Sequence, residues 1–320
     1  MKRPFKNIAA SVRQRLLNKA RETNRPFHEL LQYFAMERFL YRLSKSPHAQ
    51  KFVLKGALML TVWEAPISRP TMDIDLLGRT DNSVDAMIAV AKDICLQDVE
   101  PDGLTFDLST VEGERITEDA DYEGVRLRFR GQLDTARITL QIDVGFGDVV
   151  VPSAELTDYP TILGLPAPRL HGYSRESTVA EKFEAMVKLG NLNSRMKDFF
   201  DIRLLSRQFD FEGRMLAEAV AKTFSTRGTK IPSSPIAFTR AFSEDATKAV
   251  QWRAFIRRNR LADIPEDFAE IIATVASFLG SIADALAAGR SFDANWKAPG
   301  PDISPTRPRP SRQSLKNDGG

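Results

Sequence analysis

The stretch "RPTMDIDLLG", residues 69–78, sets Asp73 and Asp75 two positions apart inside an apolar run. Alternate side chains of a strand share a face, so Met72, Ile74 and Leu76 point one way and both carboxylates the other. Two carboxylates about 7 Å apart on one strand face repel unless a cation lies between them. Further on, "RITLQIDVGFGD" alternates Ile138, Leu140, Ile142 and Val144 with Thr139, Gln141 and Asp143, which places a third acid on the polar face of another strand. Hard carboxylate oxygens suit Mg²⁺, and two such ions roughly 3.5–4 Å apart can activate an attacking hydroxyl and steady a leaving pyrophosphate. Gly56, at a strand-to-helix turn, lets backbone N–H groups approach a phosphate.

A second group of residues falls in helical sequence. Thr178 and Glu181 have capping-box spacing and predict a helix from there to Leu189, closed by Gly190. Lys182 lies in its first turns, where a long ammonium can reach a phosphate. The next predicted helix, "SRMKDFFDIRLLSRQF", is capped at Ser194, and Arg195, Asp198 and Asp201 share one side of it. Its carboxylates could orient Lys182 or Arg195, or accept a proton. Taken singly, Lys182 reads as a solvated lysine and Arg195–Asp198 as a surface pair worth well under about 1 kcal/mol.

Helices over 7–22 and 26–45 come first, then a short strand to Lys55–Gly56 and a helix. The Asp73/Asp75 strand ends at Gly78, and a helix follows over 81–96. Strands fill 104–150, with Val125, Leu127 and Phe129 opposite Arg126, Arg128 and Arg130, an arginine row read as an exposed face. Helices are expected around 212–224, 237–260 and 265–288. "QWRAFIRRNR" in this region reads as a half-buried helix with a charged rim, with RNA contact as the alternative. Five prolines follow position 297, so 297–320 reads as a disordered tail. The resulting divisions are a helical segment 1–50, a core 51–165, a helical domain 166–296 and the tail.

Composition narrows the class. Hydrophobic content of 42% and charged content of 27% are ordinary for a globular chain. A single cysteine, Cys95, excludes an internal disulfide and suits a reducing, cytoplasmic setting. Neither a transmembrane run nor a signal-peptide core is read from the sequence, and three scattered histidines argue against a histidine triad or zinc site. The net charge of +3 is uneven, because residues 1–50 hold eleven Lys/Arg against three acids. Such a basic end, Arg13, Lys19 and Arg21 included, is expected to meet a polyanion.

Together, "FVLKGALMLTVW…RPTMDIDLLG", "IDVGFGD" and "AEKFEAMVKLGNLNSRMKDFFDI" resemble the AbiEii-type nucleotidyltransferase toxins, relatives of the MenT toxins within the DNA polymerase β-like superfamily. The resemblance covers roughly residues 7–205. It implies an α+β fold: a nucleotidyltransferase mixed sheet with an N-terminal helical pair and a C-terminal helical region. It also implies Mg²⁺ on Asp73, Asp75 and Asp143, and nucleoside triphosphate binding by Lys55, Gly56, Lys182 and Arg195. Asp198 and Asp201 complete the family's helical motif, and Ala57 stands where many superfamily members carry serine. The implied reaction moves a nucleotide onto an acceptor, with the tRNA 3′ end expected, in a toxin–antitoxin or phage-defence pair with a winged-helix antitoxin encoded nearby. The rivals are modification of a protein or small molecule, and a nucleotide-binding regulatory module without turnover.

Overall fold

The computed structural model describes residues 7–65, 69–118 and 122–301. Its helices are α1 (Ile8–Thr23), α2 (Phe27–Lys45), α3 (Leu58–Val62), α4 (Val84–Cys95), α5 (Arg175–Leu189), α6 (Met196–Gln208), α7 (Gly213–Thr226), α8 (Arg240–Ser243), α9 (Ala246–Asn259) and α10 (Phe268–Ala287). Its strands are β1 (Phe52–Lys55), β2 (Ile74–Gly78), β3 (Leu104–Glu118), β4 (Tyr122–Leu133), β5 (Ala136–Phe146), β6 (Glu155–Asp158) and β7 (Arg169–Gly172).

Among the described residues the strands form one mixed sheet in the order β3-β4-β5-β2-β1-β7-β6. β2 runs parallel to β5 and antiparallel to β1. Alternation on β4 and β5 sends Val125, Leu127, Phe129, Leu140 and Ile142 into the core, where each stabilises the fold by about 1.5–3 kcal/mol relative to exposure. α2 is the central post of this core. Every residue from Leu30 to Leu43 is buried, and Phe39 meets the rings of Phe106 and Phe129 at 6.2 and 5.6 Å. This is the α+β arrangement expected from the sequence.

Burying α2 also buries its charges. Arg42 donates to both oxygens of Asp102 at 2.7 and 3.1 Å, and Arg38 lies 3.0 Å from Glu37 Oε1 without hydrogen-bond alignment to it. Arg15 is tied to the carbonyl of Leu163 at 2.6 Å, while Lys2, Arg3 and Lys6 lie outside the described residues. The basic excess of residues 1–50 is therefore not one solvated face.

A second apolar cluster joins α5, α6, α7 and α10 through residues such as Phe183, Phe199, Val220 and Leu279. Several expected boundaries move here. α5 starts at Arg175, one turn before the expected opening, because Ser174 caps it by accepting the Ser177 N–H at 3.0 Å. Ser194 does not cap α6, which starts after Arg195 with no side-chain cap bond; just before it, Asn193 Oδ1 accepts the Arg195 N–H at 2.8 Å. The helix expected over 237–260 is broken, with α9 starting afresh at Asp245, whose carboxylate caps Lys248 N–H at 2.9 Å. By length and composition α10 could cross a membrane, but its buried face, including Ile271, Val275 and Leu279, lies in this cluster. Beyond it the chain stays hydrogen-bonded, with Trp296 Nε1 donating to Ser206 O at 2.6 Å and Lys297 held by Asp210 at 2.7 Å. Most of the expected disordered tail, 302–320, lies outside the described residues.

Candidate active site

The strand wall of the site follows from sheet register. Asp75 on β2 is directly opposite Asp143 on β5 and Lys55 on β1, and Asp73 immediately precedes β2. Carboxylate oxygens of Asp73, Asp75 and Asp143 all lie within 4.8 Å of one another, a separation at which one hard cation can be shared. Thr71 Oγ1 donates to Asp73 Oδ1. Gly56 sits against this group with φ +72°, and a Cβ there would fall 1.9 Å from Asp75 Oδ2. Glycine is thus needed twice, for the left-handed turn and for the close approach.

Asp143 also has a partner that the sequence reading left on an open face. Arg126, its register partner on β4, donates from Nε and Nη2 to the two carboxylate oxygens at 2.8 and 2.6 Å. The expectation that Arg126 belongs to an exposed arginine row is therefore corrected. It forms the bidentate fork that guanidinium and carboxylate planes favour.

The helix wall faces the strands across a cleft of about 500 Å³, lined by Lys55, Gly56, Arg69, Asp75, Lys182 and Arg195 among others. Lys182 Nζ lies 3.0 Å from Asp198 Oδ1 and 2.8 Å from Asp201 Oδ2, both fully buried. Arg195 Nε lies 2.7 Å from Asp198 Oδ2, an ion contact without hydrogen-bond alignment. Arg69 donates from Nε and Nη2 to Asp201, each at 3.0 Å. Burial would raise the Asp198 and Asp201 carboxyls, but the cations beside them outweigh it and hold both below the usual range. Lys182 and the Arg195–Asp198 pair are thus neither solvated nor superficial. Lys248 on α9 braces the joint before α6, donating to Asn191 O at 2.9 Å and Asn193 O at 2.7 Å.

Lys55 belongs to a neighbouring ion-pair group, 2.8 Å from Asp148 and 2.9 Å from Glu181. Burial opposes its charge, yet Glu181, with Tyr173 and Asp148, raises the ammonium well above its usual value. Arg227 closes the group on Asp148 at 2.9 Å and Glu184 at 3.0 Å. Tyr173 OH and Glu181 Oε1 are buried without a well-aligned hydrogen-bond partner, and both residues line the cleft. Two polar atoms in that state suit a polar ligand.

Of the expected site residues, Lys55, Gly56, Asp75, Lys182, Arg195 and Asp198 line the cleft; Asp73 and Asp143 join it through Asp75, and Asp201 through Lys182. Sequence reading missed Arg69, Arg126, Tyr173, Glu181 and Arg227. Arg69 adjoins the quoted aspartate run, so its position offered a signal. Arg227 gave none, because it meets Asp148 from 79 residues away.

A sheet carrying clustered carboxylates opposite a cation-lined cleft is the architecture of a nucleotidyltransferase. Residues 38–274 match the family model described as "Nucleotidyl transferase AbiEii toxin, Type IV TA system", and the chain belongs to that family. Membership in a type IV toxin–antitoxin family implies an antitoxin partner. Two solved structures from Helicobacter pylori are similar. The chain is 15% identical to a candidate nucleotidyltransferase, covering 81% of this chain and 95% of that one at a TM-score of 0.43. It is 14% identical to JHP933, covering 82% and 92% at a TM-score of 0.44. No curated protein matches the sequence.

Proposed function

We propose that this family member transfers a nucleoside monophosphate from a triphosphate to an RNA 3′ hydroxyl, with the tRNA 3′ end as acceptor. The observation that carries the reading is the convergence of three carboxylates within 4.8 Å beside a glycine turn and a cation-lined cleft. Three hard carboxylates this close together are a donor set that fits Mg²⁺. Held by Asp73, Asp75 and Asp143, the metal would polarise the α-phosphate and the attacking hydroxyl. Lys182, Arg195 and Lys55 bind the phosphates, and the Gly56 turn offers backbone N–H groups to them. Asp198 and Asp201 hold Lys182 and Arg195 in place, and Asp148 and Glu181 hold Lys55. A bond forms from the acceptor oxygen to the α-phosphorus as the bond to the β-phosphate oxygen breaks. Pyrophosphate leaves, and the hydroxyl proton passes to Asp143. The reaction belongs to the cytoplasm, where tRNA and the antitoxin would be met.

The test incubates the full chain with each α-labelled triphosphate, Mg²⁺ and total tRNA, followed by gel separation. Label in the tRNA band, lost when the 3′ hydroxyl is oxidised with periodate, is the expected result. Label on protein or on a small molecule would overturn the acceptor. Triphosphate binding without transfer to any of these would leave a regulatory module.

A further inference from the structure

A second and larger concavity, about 1290 Å³, lies between the α1–α2 turn and the C-terminal end of α9. It shares Arg69, Arg195 and Lys197 with the cleft, so the two cavities meet at the buried ion pairs. Its floor includes Met72, next in sequence to Asp73, which brings it to the edge of the carboxylate cluster. We infer that this groove receives the single-stranded 3′ end of a polynucleotide acceptor. The inference rests on the transfer reading above and specifies where and how the acceptor binds.

Charge and apolar surface are arranged for such a strand. The rim carries exposed Arg25, Lys197, Arg258 and Arg260, against Glu29 and Asp263. A structural role accounts for part of this charge. α1 ends at Asn24 and α9 at Arg260, both left-handed, and their C-terminal dipoles attract cations. Arg25 donates from Nε and Nη2 to Glu29 Oε1 at 3.0 and 2.6 Å. With Glu29 and Asp263 counted, the four rim cations leave two positive charges in excess. Two helix ends amount to about one negative charge together, fewer than that excess. Between the rim cations lie Met72, 51% exposed, and half-buried Phe255. Phe255 is fixed in place by stacking on Trp252 at 5.5 Å and by Phe200 at 5.8 Å. Held aromatic and apolar surface within a cationic rim is what unpaired bases and their phosphates require. A duplex offers only its backbone to such a site. Arg13, Lys19 and Arg21 do not line this groove, so the acceptor-contacting charge lies at the α1–α2 turn and on α9.

The test is fluorescence anisotropy on the full chain without triphosphate, using a 5′-labelled RNA hairpin with a four-nucleotide 3′ overhang. A blunt hairpin and a DNA version of the overhang are the comparison arms. The overhang should bind more tightly than the blunt form. Replacing the exposed pair, R258A with R260A, should weaken overhang binding about tenfold or more. Removing an arginine that neutralises one phosphate should reduce the log–log salt slope by about 0.7. Phe255→Leu should weaken the overhang but not the blunt hairpin. Equal binding of RNA and DNA overhangs assigns the groove to any single strand, and preference for RNA assigns it to RNA; both support the site. Equal affinity for overhang and blunt forms, or unchanged binding by the double variant, overturns it, as does labelled transfer to a protein that the double variant abolishes. Calorimetric triphosphate binding by the same variants should match wild type. A chain that binds the overhang but transfers nothing would sink the transfer reading and leave the groove standing.

Discussion

The two walls of the cleft solve opposite electrostatic problems. On the strand wall, backbone hydrogen bonds fix Asp75 opposite Asp143, and three acids crowd together, with the Arg126 guanidinium forked onto Asp143. On the helix wall, Lys182, Arg69 and Arg195 are matched by two buried carboxylates. The strand wall is built by register and invites an added cation. The helix wall sets its three cations on two carboxylates and holds them rigid before any ligand arrives. Preorganised charge of this kind costs little to reorganise on binding.

Asp75→Asn puts this contrast to its hardest trial. The amide keeps the shape but binds a hard cation poorly, so transfer should fall on the order of 10³-fold while the circular dichroism spectrum is kept. Near wild-type transfer by a folded variant would remove the strand wall from the chemistry.

Lys182→Ala tests the other wall. It leaves buried Asp198 and Asp201 each short of one cation, and breaking a buried pair costs about 3–5 kcal/mol. Asp198 keeps Arg195 and Asp201 keeps Arg69, so the low end applies. Denaturant titration should report it, and an unchanged midpoint would mean that Lys182 does not stabilise the two buried carboxylates. This differs from a solvated lysine, whose loss leaves stability alone.

Titration separates matched from mismatched carboxylates. Asp198 and Asp201 have lowered folded pKa values, so their stabilisation is present above about pH 4 and lost as pH falls. Glu37 is the opposite case: burial, only partly offset by Arg38, raises its carboxyl from 4.5 to about 7. The folded state then holds a proton that the unfolded chain has released, so stability declines as pH rises from 4.5 to about 7. The loss is about 3 kcal/mol at most, since one pKa unit corresponds to about 1.4 kcal/mol. Glu37→Gln should flatten that limb of a thermal-melt pH series and leave the acid limb unchanged.

The smallest effect is expected from Arg126→Gln. Removing the fork from Asp143 should strengthen Mn²⁺ binding several-fold by calorimetry, because the cation no longer competes with a guanidinium. Weaker binding would instead make Arg126 the residue that orients Asp143 for the metal.

Local sequence was enough to say which way most strand side chains face, though Met72, expected beside Ile74 and Leu76, is 51% exposed. Period-two alternation put Asp75 and Asp143 on polar strand faces with Asp73 just before β2, and three-residue spacing put Asp198 and Asp201 on one side of α6 with Arg195 at its N-cap. Both patterns are set by backbone geometry over a few residues. Capping was less legible: Thr178 and Ser194 offered plausible caps, but Ser174 caps α5 and α6 has no side-chain cap bond, because several polar residues compete near one helix start. That β2 and β5 are parallel neighbours, which brings the third acid to the first two, emerged only from the packed fold. Packing also brought Arg69 to Asp201 across 132 residues, turned Arg126 from an apparent surface row onto Asp143, and closed Arg227 on Asp148. Pairing between distant charges depends on how sheet and helices pack, and no local period records it.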